Sequence, residues 1–222
     1  SWTTSATLTR PEAEGRAFFG EAVTLDGNRA LIGATGSTSS TNRHGRAYIY
    51  ELASGTWSEV ADLEAPDGQV FNTGNFGEAV ALRGDQALIA DPNRSINYPG
   101  EGTFASGAAY LFERSGAGTW TVAERFLPDD LDRAELSSGR QIDFGASVAL
   151  ANGRVVIGAP EDFVDGQFDA GSAYVFEESD GAWAPAGKLR GGSAVAERLG
   201  TSVAESGGFV VSGAIQGEVS GT

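Results

Sequence analysis

The four tryptophans of this 222-residue chain fall at nearly even intervals: Trp2, Trp57, Trp120 and Trp183 are 55, 63 and 63 residues apart. Each is followed six residues later by an apolar side chain, Leu8, Leu63, Phe126 and Leu189. Three further patterns keep step with them. The first reads Phe19-Gly20, Phe76-Gly77, Phe144-Gly145 and Leu199-Gly200. The second reads LIGAT at 31–35, LIADP at 88–92, VVIGAP at 155–160 and VVSGAI at 210–215. The third reads GRAYIY at 45–50, GAAYLF at 107–112 and GSAYVF at 171–176, with no fourth copy. A period of about 60 residues confines the chain to architectures in which each unit packs mainly on its neighbours.

Each unit holds four short runs of β character bounded by Gly, Asn, Asp and Ser. In the third unit, Ser147 to Leu150 turns through Ala151-Asn152-Gly153 into Val155–Ile157. Asn-Gly between apolar runs is a hairpin signal, because both residues tolerate positive φ. The matching turns read as three-residue loops: Asp26-Gly27-Asn28, Arg83-Gly84-Asp85 and Ser206-Gly207-Gly208. The 32 glycines, about twice average usage, fit a chain of many tight turns. No segment carries a sustained 3.6-residue period with caps, so almost no helix is expected. Four antiparallel strands per unit, repeated, are the signature of an all-β propeller blade.

The pattern F-G-x-[AS]-V-[AT]-L, then [LV]-I-G-A-P, then G-x-A-Y-[LVI]-[FY] resembles the FG-GAP repeat of integrin α-subunit heads and many bacterial surface and secreted proteins. The resemblance runs through nearly the whole chain. It implies that the FG run is the innermost strand, the GAP run second, the AY run third and the Trp run outermost. About four repeats are present within a single domain, 1–222: residues 1–18 as an outer strand only, then 19–63, 76–126, 144–189 and an incomplete 199–222. The family usually closes a ring of seven blades, so these repeats are expected to form part of a seven- or eight-bladed ring. Together with Ser1 at the start and no Met, this gives the expectation of a processed chain or a piece of a longer one.

The repeats depart from the integrin type at one point. There the first hairpin carries an Asp-rich Ca²⁺ loop, roughly D-x-[DN]-x-D-G. Here the turns are too short to hold it.

Strand alternation places the connections. In an up-and-down blade, connections 1→2 and 3→4 leave at one end, whereas 2→3 and blade-to-blade connections leave at the other. The first class is short. The second is long and varied: 35–43, 91–106, 161–170, 64–75, 127–143 and 190–198. Recognition commonly resides on such loops when a rigid scaffold holds them.

On those connections, Phe71, Tyr98, Phe104, Phe163 and Phe168 lie outside the repeat register and are candidates for ligand stacking. The evenly spaced tryptophans are expected to pack between blades. The loop EDFVDGQFDAG at 161–171 gathers Asp162, Asp165 and Asp169, hard oxygen donors that suit calcium. The other repeats lack them, and a solvated acidic loop is the competing reading. PDDLDRAEL at 128–136 is a second acidic cluster, read as a surface turn with a short helical stretch. Arg83-Gly84-Asp85 spells an adhesion tripeptide at a position where the hairpin itself calls for Gly-Asp or Gly-Asn.

Composition removes several function classes. With 15 basic against 30 acidic residues, the formal charge is −15, which leaves no basic surface to engage a phosphate backbone. No run approaches the roughly 20 apolar residues of a membrane-spanning helix. The absence of Cys excludes disulfides, thiolate nucleophiles and zinc–cysteine sites. His44, the one histidine, lies in a polar run and reads as a loop residue.

The resulting expectation is a non-catalytic, extracytoplasmic recognition or scaffold module, placed outside the cell, on its surface or in the periplasm. It would bind a protein partner or a neighbouring subunit of a larger assembly through the long-loop face. A lectin-like glycan binder is the first alternative, and a lyase or glycosidase using paired carboxylates the second.

Overall fold

The structure is a computed structural model that describes residues 3–10, 18–36, 45–66, 74–131, 139–191 and 197–215. Every regular element among them is a β-strand. Blade 1 consists of β1 (Phe19–Asp26), β2 (Arg29–Ala34), β3 (Arg46–Ala53) and β4 (Thr56–Leu63). Blade 2 begins with β5 (Val80–Arg83) and β6 (Gln86–Asp91). A small separate hairpin follows, β7 (Ser95–Tyr98) with β8 (Gly102–Ala105), before β9 (Ala108–Arg114) and β10 (Trp120–Phe126) complete the sheet. Blade 3 is β11 (Ser147–Ala151), β12 (Arg154–Ala159), β13 (Ser172–Ser179) and β14 (Ala182–Arg190). The last pair, β15 (Leu199–Ser206) and β16 (Phe209–Ala214), is a two-stranded half-blade.

Within each complete blade the strands pair antiparallel in the expected order of FG, GAP, AY and Trp runs. Strands β1, β5, β11 and β15 neighbour one another, so they form the inner wall. The first hairpin turns are shorter than the three residues expected. Asp26 pairs with Arg29 and Ala151 with Arg154, which leaves two-residue loops. Residues 3–10 form no strand, although an outer strand was expected over Trp2–Leu8; Trp2 itself lies outside the described residues. Among the described residues no strand pairs with this segment. The β7–β8 hairpin inside the 91–106 connection was not anticipated.

The blades join through two apolar layers. Leu31, Ala47 and Ile49 of blade 1 meet Ile89, Tyr110 and Phe112 of blade 2. Leu88, Ala109 and Leu111 of blade 2 meet Val155, Ile157 and Phe176 of blade 3. The outer rim repeats as well. Leu8 with Trp57, Leu63 with Trp120, and Phe126 with Trp183 fall in successive clusters, so each described Trp packs against the preceding repeat.

The motif residues have a shared physical role. The Phe of each FG run touches both aromatics of its own AY run: Phe76 lies 5.9 Å from Tyr110 and 6.1 Å from Phe112 between ring centroids, and Phe144 lies 5.1 Å from Tyr174 and 6.4 Å from Phe176. The glycines let backbones approach between blades. A β-carbon on Gly33 would overlap the carbonyl oxygen of Gly77, and one on Gly158 that of Gly200. Gly107 and Gly171 form parallel bridges to Phe144 and Leu199 of the following repeat.

Candidate functional site: the long-loop face

The two ends of the blades are built differently. At the short-turn end, side chains tie neighbouring blades together. Arg29 donates to the Gly84 carbonyl and to Asp85, both at 2.8 Å, and the Gly84 N–H donates to Asp26. Arg83 donates to Asn152 at 2.8 Å. All three residues of the adhesion tripeptide are therefore engaged inside the fold. Arg154 continues the series, pairing with Glu177 of its own blade and reaching Glu205 of the half-blade at 3.4 Å.

The opposite end carries the irregular connections, held by a small number of ionic ties. Lys188, the one lysine in the sequence, lies on β14 directly across from Tyr174 on β13. Its ammonium reaches Asp130 at 2.7 and 2.8 Å, Asp162 at 2.8 Å and the Tyr174 hydroxyl at 2.8 Å. It also lies 4.2 Å from the centroid of the Tyr174 ring, within cation–π range. The Lys188 and Asp162 side chains are only 11% and 6% exposed. The cluster thus fastens the 127–131 connection and the 161–170 loop to blade 3. Burial pushes the Asp130 carboxyl up, but the hydrogen bond and charge of Lys188, the Tyr174 hydroxyl and Arg190 outweigh it and hold the group below its usual value. The Tyr174 hydroxyl is raised by burial and by the facing carboxylates Asp162 and Asp130.

Nearer the inner wall, Asp143 takes a left-handed backbone conformation, φ 54°, in the position before the FG run that Phe18 and Arg198 occupy in other repeats. Its carboxyl is pushed up to about 6, chiefly by burial and then by Glu161 and Glu78; Arg198 acts in the opposite direction. Arg198 pairs with Glu161 at 3.2 Å, and its backbone N–H donates to the Asp169 carbonyl. In blade 2, buried Asp91 replaces the small residue that Ala34 and Ala159 provide elsewhere. It accepts the Asn75 N–H at 2.6 Å and faces buried Arg94 at 3.7 Å.

The stacking candidates form two separate pairs. Tyr98 and Phe104 face each other across the β7–β8 hairpin at 6.1 Å, and the Tyr98 hydroxyl hydrogen-bonds Ser106. Phe163 and Phe168 pair at 5.1 Å in the blade 3 loop, and the Arg140 guanidinium lies 3.9 Å over the Phe168 ring. Phe71 lies outside the described residues, as do His44 and most of the 128–136 cluster.

The calcium candidates are spread apart. Asp162 turns inward to Lys188 and Tyr174, Asp169 faces Arg140 at 3.9 Å, and Asp165 stands in solvent on the tight turn between Val164 and Gln167. Among the described residues no group of three or more acidic or histidine side chains gathers as a metal site. Sequence reasoning missed the Lys188 cluster. Its signal was available: pairing of the AY strand with the Trp strand places a charged residue opposite each AY tyrosine, Asp62 across from Tyr48, Arg125 across from Tyr110 and Lys188 across from Tyr174.

Compared with known families, the chain matches a model described as the FG-GAP repeat over residues 2–50, 57–112 and 140–176. No curated protein matches it.

Proposed function

The chain belongs to the FG-GAP repeat family, a propeller-type interaction module found typically in extracellular or surface proteins and generally without enzymatic activity; on that premise we propose that it is an extracytoplasmic recognition or scaffold module. It binds a protein partner or a neighbouring subunit through the long-loop face. The observation that carries this reading is the asymmetry of the two ends. The short turns are occupied in joining blades, whereas the 91–106, 127–131 and 161–170 connections present varied side chains from a fixed base. Variable loops on a rigid scaffold form recognition surfaces without a conformational change in the scaffold itself. Asp165, whose side chain is 81% exposed on this face, offers a carboxylate to a basic group of the partner.

Glycan binding has less support. Stacking needs an open ring face, and Arg140 already lies over Phe168.

The test is site-specific photo-crosslinking in the organism's own envelope or secreted fraction. A photoreactive phenylalanine replaces Asp165 on the long-loop face or Asp180 on a short turn. The expected result is one defined protein adduct from position 165 and none from position 180. Adducts from 180 alone, or from neither position, contradict the reading.

A further inference from the structure

Asn152 and Gly153 make the two-residue turn between β11 and β12, and they are the one Asn-Gly pair in the sequence. Every other asparagine precedes Arg, Thr, Phe or Tyr, whose side chain crowds the backbone nitrogen next to the Asn amide. Gly153 has no β-carbon and takes a left-handed conformation, φ 65°. Asn152 is exposed, so water reaches its side chain. From blade 2, the Arg83 Nε donates to the Asn152 Oδ1 at 2.8 Å. A guanidinium carries donors only, which identifies the contacted atom as the amide oxygen.

We propose that Asn152 is a self-modification site: the Gly153 nitrogen displaces the side-chain amide of Asn152, and Arg83 directs the product to an ordinary aspartate. In the first step the Gly153 nitrogen bonds to Cγ, the Cγ–Nδ2 bond breaks, and Nδ2 leaves as ammonia with the proton that Gly153 loses. The reacting atoms sit in adjacent residues, so the step is intramolecular. Negative charge gathers on Oδ1 as Cγ is attacked, and the Arg83 donor stands against that oxygen. In the second step water adds to Cγ, the Cγ–nitrogen bond breaks, the nitrogen regains a proton and a carboxylate is left. Arg83 polarises the same carbonyl here, which favours opening at Cγ. Opening at the other carbonyl gives isoaspartate, whose extra backbone atom does not suit a turn that the Ala151–Arg154 pair holds at two residues.

The product has a place in the fold. Two other blade junctions already carry an Arg–carboxylate tie at the short turns, Arg29 to Asp85 at 2.8 Å and Arg154 to Glu205 at 3.4 Å. Between blades 2 and 3, Gln86 stands in the register of Arg29 and Arg154 and donates to Glu113 of its own blade. The short-turn tie described across that junction is Arg83 to the neutral Asn152 amide. The modification turns it into a charge-assisted bond.

The experiment is incubation of the purified chain at mildly alkaline pH in heavy-oxygen water, with peptide fragmentation to place each incorporated oxygen and to separate aspartate from isoaspartate. Parent and Arg83→Ala are compared, each folded and in urea. The folded parent is expected to take up label at position 152 far ahead of every other asparagine, mainly as aspartate. Arg83 is exposed, so Arg83→Ala keeps the parent's far-UV spectrum; its uptake is expected to be several-fold slower and to yield more isoaspartate. In urea the two chains are expected to behave alike. Asn152→Asp is expected to raise the melting midpoint, and to lose that gain when combined with Arg83→Ala. No label at 152, label spread over the asparagines, isoaspartate as the folded parent's main product, or unslowed uptake in folded Arg83→Ala overturns the proposal. A midpoint gain that is absent, or that survives without Arg83, overturns the strengthened tie.

Discussion

Gly33 of blade 1 and Gly77 of blade 2 touch backbone to backbone, so closely that a β-carbon on Gly33 would occupy the position of the Gly77 carbonyl oxygen. The glycine of one GAP run is thus the seat for the FG run of the next blade. Gly33→Ala pushes two blades apart and is expected to cost about 3 kcal/mol, at the upper end for overpacking a close contact. A urea titration measures it. Gly55→Ala is not an adequate control, since Gly55 has φ 80°; Gly116→Ala, at an exposed glycine with ordinary φ and open space where the β-carbon would stand, serves better and is expected to shift the midpoint much less.

The Lys188 cluster gives a second expectation. Lys188→Met removes the cation that faces Asp162 and Asp130 and leaves Asp162 buried beside Tyr174 with no ammonium. Removing one member of a buried ion pair costs about 3 kcal/mol. Thermal unfolding checks the loss. Hydrogen exchange is expected to locate it in 127–131 and 161–170 rather than in the short turns. A global loss with unchanged loop exchange contradicts the role assigned to the cluster.

Asp143 supplies a pH dependence whose sign is fixed. Its folded value, about 6, stands above the ordinary carboxylate value of 3.8, so the native state holds the proton more tightly than the unfolded chain. Its contribution therefore favours folding below pH 4 and declines as pH rises towards 6. Asp143→Asn keeps a residue that tolerates positive φ and removes the titration. Relative to the parent, the variant is expected to gain stability between pH 4 and 6 and hold that gain at pH 7. Asp130 acts in a separate window: its lowered value contributes stability above about pH 4 that is lost on further acidification. Difference curves between variant and parent, measured by thermal melts, separate the two.

The rim tryptophans rank by burial. Trp120, 8% exposed and clustered with Leu63, is expected to cost about 3–5 kcal/mol on truncation to Ala. Trp57, half-buried beside Leu8, is expected to cost distinctly less. Equal losses in the two unfolding curves contradict the rim packing described here.

The architecture was legible in the sequence because its determinants are local and recur. Strand alternation, turn glycines and the spacing of Phe19, Phe76 and Phe144 each repeat in register, and repetition distinguishes them from chance. The aromatic contacts between FG and AY runs follow once those strands share a sheet. The candidate site was less legible because its contacts join residues far apart in sequence and occur once. Lys188 meets Asp130 across 58 positions, and no second repeat carries that pair. The Asp162, Asp165 and Asp169 spacing suggested convergence, but a turn at Val164–Gln167 sends neighbouring carboxylates in different directions. The β7–β8 hairpin was hidden for a related reason: four-residue strands in a polar loop carry little alternation.

The central claim is that three four-stranded blades are stitched together by their motif residues and followed by a half-blade on one open side. Native-state hydrogen exchange read residue by residue tests it most directly. The account predicts the slowest amides in the middle strands β2, β3, β6, β9, β12 and β13, and much faster exchange through β16, whose outer edge has no described partner strand. Protection of Val210–Gly213 equal to that of Val155–Gly158, in a chain shown to be monomeric, would contradict it.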